Sequence, residues 1–340
     1  MLFQVIWFVL WGVLWAVYFM LDGFDLGAGM LYPFVAGSEA EKGAVLDSIG
    51  PVWGGNEVWL ITAGGATFAA FPTTYALMFS YLYTALLLLL FSLILRGVAI
   101  EFRGKAEGAG WRKGWGLMLW LGSFLPALLF GVAFGNIFMG LPMDAQGYHG
   151  GFMSLLNPYG LLTGVLFVML FLVHGSLWIA LKTGGRTEGR ARRAANGLWY
   201  ALLAAAVAFL ASTVFATKLY VNYLKAPALL VLPAAAVLAL LAIKFFAVKG
   251  RNLQAFFASC AAIVMVAFTG VAGLFPNLIP SSIDPASSLT LFNSSSSPYT
   301  LKIMTAVAAV FVPIVILYQI WTYRVFRHKA VDAAGGKGTY

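Results

Sequence analysis

Apolar stretches, each about as long as a membrane is thick, recur along the whole chain. A helix needs about 20 apolar residues to cross a bilayer, and nine segments meet or approach that length. They cover roughly residues 3–33, 51–71, 74–97, 114–137, 157–181, 196–217, 227–247, 253–274 and 299–323. Since a helix satisfies its own backbone hydrogen bonds inside lipid, the pattern predicts an all-α polytopic membrane protein with nine transmembrane helices.

The second of these segments carries polar residues where a membrane helix normally has none. Asn56 and Glu57 lie less than two turns from its start. A carboxylate costs roughly 3 kcal/mol at the centre of a membrane helix, so we expect a functional or structural partner for Glu57. Small residues in the first two segments predict close approach of other helices. The helix-packing candidates are Gly27, Gly29, Gly64 and Gly65.

Composition and charge support a membrane protein and set its orientation. The chain is 61% hydrophobic and 10% charged, against about 25% charged in soluble domains. The net charge of +9 comes from residues in short loops, which argues against nucleic-acid binding. All but three of the 21 lysines and arginines fall on one predicted side, the exceptions being Lys218, Lys225 and Lys302. The positive-inside rule then predicts an outside N-terminus and a cytoplasmic C-terminus.

The predicted spans form a single domain. We expect residues 1–324 to be the transmembrane domain and residues 325–340 to be a disordered cytoplasmic tail.

Acidic residues in the early helices gather near the predicted cytoplasmic side. Asp22 and Asp25 are three residues apart and share one helical face. Helix rise places them, with Glu57, Arg96 and Glu101, in one layer. This layer is either a structural set of ion pairs or a route for proton or cation uptake. The candidates for a proton pathway are Glu57, Asp22, Asp25 and Glu101.

The residues that could hold a metal are few. The histidines are His149, His174 and His328, and of these His174 alone lies within a span. No second histidine or cysteine accompanies it at ligand spacing, so a packing or hydrogen-bonding role is favoured over a haem or metal ligand. The single cysteine, Cys260, excludes an internal disulfide and a multi-cysteine site. We therefore predict no metal site in this chain.

Several stretches together resemble subunit II of the cytochrome bd quinol oxidase family. Two of them are specific: DGFDLGAGML (Asp22 to Leu31) and SIGPVWGGNEVWLITAGGATFAAFP (Ser48 to Pro72). The others are RGVAIEFR (Arg96 to Arg103), GSFLPALLFGVAFGN (Gly122 to Asn136), LLNPYGLLTGV (Leu155 to Val165), FPNLIPSS (Phe275 to Ser282) and SLTLFNSSSSPYTLKIM (Ser288 to Met304). They follow the family's order over nearly the whole chain.

The resemblance implies a place in a respiratory complex of the bacterial inner membrane. In that family a heterodimer of subunits I and II oxidises quinol on the outer side and reduces O₂ to water with protons from the cytoplasm. Haem b and haem d are expected in subunit I, and none is ligated by subunit II. The implied architecture is two four-helix bundles plus one peripheral helix. Quinol, O₂ and membrane lipid are the partners of the complex, and small accessory subunits and a bound quinone or lipid remain open.

The resemblance also suggests roles for the second span, although no catalytic residue is assigned there. The candidates for oxygen access or subunit contact are Trp53, Asn56 and Trp59. Some family members carry an aspartate directly after the tryptophan that matches Trp53, whereas this chain has Gly54 there, and its nearest acid is Glu57.

Two other classes of protein remain as alternatives. An ion-coupled transporter would also place acids and glycines in early helices, but it predicts discontinuous helices in two related halves, and we find no such halves. A purely structural anchor for the haem-carrying subunit is the other alternative.

Overall fold

The computed structural model describes residues 1–330 of the chain. These residues form thirteen α-helices, three short 3₁₀ helices and four strands of two or three residues. The α-helices are α1 (Leu2–Val35), α2 (Glu39–Ile49), α3 (Trp53–Ala70), α4 (Pro72–Tyr81), α5 (Tyr83–Phe102), α6 (Ala109–Met139), α7 (Phe152–Leu155), α8 (Pro158–Lys182), α9 (Gly185–Ala216), α10 (Tyr220–Lys225), α11 (Val231–Val248), α12 (Asn252–Leu274) and α13 (Pro298–Val325). The strands are β1 (Met143–Asp144), β2 (Gly147–Tyr148), β3 (Asn277–Ile279) and β4 (Leu289–Thr290), paired as two antiparallel hairpins.

Eight of the described helices are long and apolar enough to cross a membrane. They are α1, α5, α6, α8, α9, α11, α12 and α13, with α5 and α11 each extended by an adjoining 3₁₀ helix. The predicted all-α membrane class is thereby confirmed. The second predicted span is present as α3 but is not among the eight, because Asn56 and Glu57 lower the hydropathy of a helix only 18 residues long. The third predicted span is divided at Leu82 into α4 and α5.

Helix α1 lies at the centre of the molecule. It packs against α3, α6, α8 and α12. Where it crosses α8, a Cβ atom on Gly27 would lie 1.8 Å from the carbonyl oxygen of Phe171, so only glycine fits. Further along α1, the ring of Phe19 packs edge-on against Phe134 and Phe167, at centroid distances of 5.4 and 5.1 Å. Small residues and interlocking aromatic rings thus bring the helices together without a polar core at this level.

The remaining long helices surround α1 in two groups. On one side α5 packs against α6, and α6 packs against α1. On the other side α8, α9, α11 and α12 pack against one another. Helix α13 lies at the periphery, contacts α1 and α3, and is exposed along most of its length.

The first loop is ordered by a helix that its sequence alone did not predict. Ser38 begins α2 with a capping box, in which its hydroxyl accepts from the Glu41 backbone N–H at 3.1 Å. The Glu41 carboxylate accepts in return from the Ser38 N–H and from Arg190 of α9, at 3.2 and 2.9 Å. These contacts tie the loop to the second group of helices.

At the opposite end of the bundle, the long connection before α13 lies across three helix ends. The Leu141 N–H donates to the Pro280 carbonyl at 2.9 Å, and the Ser296 N–H donates to the Ala70 carbonyl at 2.8 Å. The start of α1 joins them through Gln4, whose amide donates to Ser295 at 2.7 Å.

The last described residues follow α13 and contact the end of α8 and the start of α9. Lys182 donates to the carbonyl oxygens of Phe326 and His328, and Lys329 pairs with Glu188 at 2.9 Å. These contacts involve the first residues of the tail predicted over 325–340, and residues 331–340 lie outside the described residues.

Candidate functional site

A buried polar layer crosses α1, α3, α5 and α13. Helix α1 contributes Asp22 and Asp25, and both are completely buried. One turn earlier on the same face, the Tyr18 hydroxyl donates to Asp22 Oδ2 at 3.0 Å. The three-residue and four-residue spacings place these groups side by side along one stripe of the helix.

Arg96 of α5 is the cation of this layer. Its guanidinium is 1% exposed and donates from Nη2 to Asp22 Oδ1 at 2.6 Å. The same Nη2 also contacts Glu57 of α3, whose side chain is 18% exposed. Helix α6 closes over this point, since a Cβ atom on Gly122 would lie 2.7 Å from the Arg96 backbone nitrogen. We call Asp22, Asp25, Glu57 and Arg96 the acid–arginine cluster.

Asn56 connects the cluster to the peripheral helix. Its Nδ2 donates to Asp25 Oδ2 at 2.8 Å and to the Leu21 carbonyl at 3.2 Å. Its Oδ1 accepts from Gln319 Nε2 at 3.0 Å and from the Tyr323 hydroxyl at 2.8 Å. The hydrogen bonds of this one amide therefore reach α1 and α13 from α3.

Gln319 and Tyr323 are site residues that the sequence analysis missed. They lie four positions apart on α13 and therefore occupy the same face of a mostly apolar helix. A glutamine inside a predicted span was the available signal, because an amide in lipid needs a partner.

Charge is unevenly matched in the acid–arginine cluster. It contains three carboxyl groups and one guanidinium, and Arg96 contacts Asp22 and Glu57. Asp25 has no ion pair within residues 1–330, and its buried Oδ1 has no hydrogen-bond partner there. A buried unpaired charge costs several kcal/mol, so this geometry suits a carboxyl group that carries a proton.

The other candidates from the second span have different surroundings. Trp59 is 7% exposed and donates from its ring nitrogen to Gln319 Oε1 at 2.6 Å. The ring of Trp53 packs against Gly97 of α5, where an added Cβ atom would meet it at 3.0 Å. Glu101 is exposed near the end of α5 and has no ion pair in the described chain, so the structure does not bring it into the cluster.

The two predicted glycine patches differ from each other. A Cβ atom on Gly27 or Gly29 would clash with Phe171 or Ser123, as close helix packing requires. Around Gly64 and Gly65 no atom of the described chain lies within 4 Å of an added Cβ. No other helix within residues 1–330 covers this face of α3, so close contact of another helix at the second patch stays a prediction for the assembled complex.

The histidine of the fifth span is engaged in packing. His174 Nε2–H donates to the Met20 carbonyl at 2.9 Å, and Nδ1 lies 2.6 Å from the Ser259 hydroxyl. Its ring stacks on Phe256 with centroids 4.8 Å apart. Both ring nitrogens are thus occupied, and residues 1–330 contain no group of three histidine, cysteine, aspartate or glutamate residues placed to hold a metal.

An apolar cavity lies in the second group of helices, away from the acid–arginine cluster. It has a volume of about 140 Å³ and lies between α1, α6, α8, α9, α10, α11 and α12. Aromatic residues form much of its wall, including Phe167, Phe209 and Tyr223.

Comparison with known proteins identifies relatives over nearly the whole chain. The family described as "Cytochrome bd terminal oxidase subunit II" matches residues 3–326. The chain is 36% identical to "Cytochrome bd ubiquinol oxidase subunit 2" of Bacillus subtilis, over 95% of this chain and 96% of the relative. It is 37% identical to "Probable cytochrome oxidase subunit 2" of Haemophilus influenzae, over 94% and 93%.

A solved structure has a similar fold. The bd oxidase from Geobacillus thermodenitrificans contains a chain that matches with a TM-score of 0.77 at 18% sequence identity, over 96% of this chain and 99% of that one. At this identity the match concerns the fold.

Proposed function

The chain belongs to the cytochrome bd terminal oxidase subunit II family, and from this premise we propose that its acid–arginine cluster takes up protons for the oxidase. The protein is a multi-pass subunit of a quinol:O₂ oxidoreductase in the bacterial inner membrane. Reduction of O₂ to water consumes protons, and a low-dielectric helix bundle conducts them only along titratable or hydrated groups. The family membership does not favour the transporter alternative.

The observation that carries the proposal is the unequal pairing of the three acids. Arg96 contacts Asp22 and Glu57 and leaves Asp25 with an amide for a partner. A proton on Asp25 balances part of the charge, and this proton is the one free to exchange. Glu57 is the partly exposed member, so it forms the water-facing end of the route.

Tyr18 extends the route away from that end. Its hydroxyl donates to Asp22 and can accept a proton as it gives one up. Seven residues separate Tyr18 from Asp25, so helix rise carries the route about 10 Å along α1. The other candidates of α3 hold their neighbours in place. Asn56 orients Asp25, and Trp59 positions Gln319. Trp53 holds α3 against α5.

We assign the haems to the partner subunit. Both ring nitrogens of His174 are already bonded, so the donors of the described chain do not fit a haem. In this proposal haem b and haem d therefore belong to subunit I. Subunit I also supplies the sites for quinol and O₂. The apolar cavity is suited to a bound quinone or to the acyl chain of a lipid.

The contact with subunit I is proposed at the uncovered face of α3. Gly64 and Gly65 leave a smooth surface there, flanked by the exposed side chain of Ile61. Small residues favour close approach of a helix from another chain.

We propose that α3 is the ninth transmembrane span. Its polar residues face the acid–arginine cluster rather than lipid, which removes the cost of inserting them. With nine spans and the positive-inside rule, the N-terminus is outside and the C-terminus cytoplasmic. Helices α1, α3, α5 and α6 then form one four-helix bundle, α8, α9, α11 and α12 form the other, and α13 is peripheral, all within one domain over residues 1–324.

The experiment is Asp25→Asn in the assembled heterodimer, reconstituted in vesicles. The variant keeps the hydrogen-bonding shape and removes the exchangeable proton. We expect normal haem content with reduced quinol-driven O₂ consumption and slower charge separation. Wild-type rates at full haem content would leave the cluster as a structural set of ion pairs.

A further inference from the structure

A groove with a volume of about 630 Å³ lies at the end of the bundle where α1 and α5 end and α6 begins. It is separate from the acid–arginine cluster and from the apolar cavity. Basic and acidic side chains line it in unequal numbers. They are Lys42, Arg103, Arg112 and Lys113 against Glu39 and Glu107.

The acidic residues do not neutralise the groove. Glu39 is bonded by Lys42 at 2.9 Å and by Arg103 at 2.6 Å. Burial raises the pKa of Glu39, but these two hydrogen bonds outweigh it and hold the pKa below its ordinary value, so Glu39 stays charged. Arg112 and Lys113 form no ion pair within residues 1–330. Glu107 is the one other acid of the lining, so the four basic and two acidic side chains leave the groove with a net charge of +2.

Arg103 is the buried part of the groove. It is 5% exposed, and its guanidinium lies over the ring of Tyr32, 5.6 Å from the centroid. One of its donors, Nε, is buried and has no hydrogen-bond partner among the described residues. A buried donor without a partner costs about 1–3 kcal/mol, so an acceptor is expected here.

The rim of the groove is apolar on the side of the lipid-facing helices. Phe34 is 72% exposed and Leu117 is 53% exposed, and Trp120 continues the same wall along α6. A small soluble anion makes no use of such a wall, whereas an acyl chain packs against it. Tryptophan and basic residues at one level are typical of the membrane–water boundary.

We propose that this groove binds the phosphate headgroup of an anionic phospholipid, with the phosphate between Arg103, Arg112 and Lys113 and an acyl chain along Leu117 and Trp120. The bound lipid would fill the space between the ends of α1 and α6. Guanidinium and ammonium groups together suit a phosphodiester, since the guanidinium gives directed hydrogen bonds and the ammonium gives charge.

The test uses the intact heterodimer, stripped of lipid in detergent and titrated with phosphatidylglycerol. Native mass spectrometry counts the lipid bound to each complex, and phosphatidylcholine gives the headgroup comparison. Arg112→Gln and Lys113→Gln change a half-buried and an exposed residue at the rim of the groove, and both leave the Arg103–Glu39 pair intact. Each should weaken phosphatidylglycerol binding about fivefold, as expected for loss of one basic charge near an anionic headgroup.

Arg193→Gln on α9 is the matched control. It removes an exposed arginine outside the groove and should not change lipid binding. Equal binding by the rim variants and this control would overturn the proposal. So would equal binding of phosphatidylcholine, or displacement of the lipid by millimolar inorganic phosphate, which would identify a site for the free ion.

Discussion

Asn56 donates its side-chain amide to the carboxyl group of Asp25 across 2.8 Å, and this contact joins α3 to α1 inside the polar layer. The oxygen of the same amide accepts from Gln319 and Tyr323 of α13. Helix α13 has one buried residue, Leu301. The hydrogen bonds to Asn56 therefore contribute much of what positions this helix.

Replacing Asn56 by alanine should loosen α13 more than the rest of the protein. The substitution leaves the buried carboxyl group of Asp25 without a hydrogen-bond partner, at about 1–3 kcal/mol, and it removes one hydrogen bond from half-buried Gln319. Hydrogen exchange of the assembled complex should be faster in α13 than in the wild type. A thermal melt of the same complex should have a lower midpoint.

Thr62→Ala is the matched control for this change. Thr62 lies on the same helix and donates to the carbonyl of Val58 on the exposed face. Equal exchange in α13 for both variants would show that Asn56 does not hold the helix.

The extent of the long helices could be predicted from apolar run length, because lipid requires each span to close its own backbone hydrogen bonds. The helix α2 could not, since its stability comes from the capping box of Ser38 and Glu41 and from Arg190, far along the chain. The division at Leu82 also has no sequence signal such as proline or glycine at that position.

The acid–arginine cluster was predictable as a layer, because Asp22, Glu57 and Arg96 fall at similar depths when helix rise is counted from the span ends. Depth along the helix also placed Glu101 in the layer, whereas the structure has it outside the cluster. Five residues beyond Arg96, it points roughly 140° away around the helix. The uncovered state of Gly64 could not be predicted, because a patch of small residues packs equally well against a helix of the same chain or of another.

The glycine patches should respond differently to alanine. Gly27→Ala places a Cβ atom 1.8 Å from the carbonyl oxygen of Phe171, and two helix backbones must separate to admit it. We expect a loss of stability at or above the ~3 kcal/mol of ordinary overpacking, and little of the chain in the membrane. Gly64→Ala should leave the amount of this chain unchanged, because the space is open.

A larger residue at position 64 distinguishes folding of this chain from its assembly with subunit I. Gly64→Leu should leave the subunit in the membrane and lower the yield of heterodimer, measured by co-purification with subunit I. Normal heterodimer yield would remove this face of α3 from the proposed interface.

The hairpin of β1 and β2 carries an ion pair that should respond to acid. Asp144 Oδ1 lies 2.8 Å from His149 Nε2, and the hydrogen bond from His149 lowers the pKa of Asp144, with a second contribution from the Gln146 N–H. A lowered carboxyl pKa stabilises the folded hairpin above the ordinary value of about 3.9, and this stabilisation is lost as the pH falls through the lowered value. Carboxyl NMR of ¹³C-labelled aspartate should place the midpoint below 3.9 in the wild type.

His149→Gln tests the cause of that shift. Removal of the imidazole should move the Asp144 midpoint upward, towards the ordinary value. His328→Gln, at the other end of the bundle, should leave it in place. An unchanged midpoint in His149→Gln would assign the shift to the backbone alone.

Glu57→Gln distinguishes a proton route from a static ion pair. The contact of Glu57 with Arg96 fits both, because a paired carboxylate can be purely structural. The proton route and the static ion pair predict different effects of a glutamine at position 57. Glutamine keeps the shape and can still contact the layer, but it cannot carry a proton between water and the buried acids.

If Glu57 is the water-facing end of the route, Glu57→Gln should retain its haems while quinol-driven O₂ consumption and charge separation fall at least about tenfold, a barrier higher by about 1.4 kcal/mol. If the pair is only structural, turnover stays at the wild-type rate and the thermal midpoint falls instead, since Arg96 loses one of its two anions. Glu101→Gln makes the same change in charge on an exposed acid outside the cluster, and both properties should stay at wild-type values. A slowed Glu101→Gln would mean that surface charge near the end of α5, rather than the acid–arginine cluster, controls proton uptake.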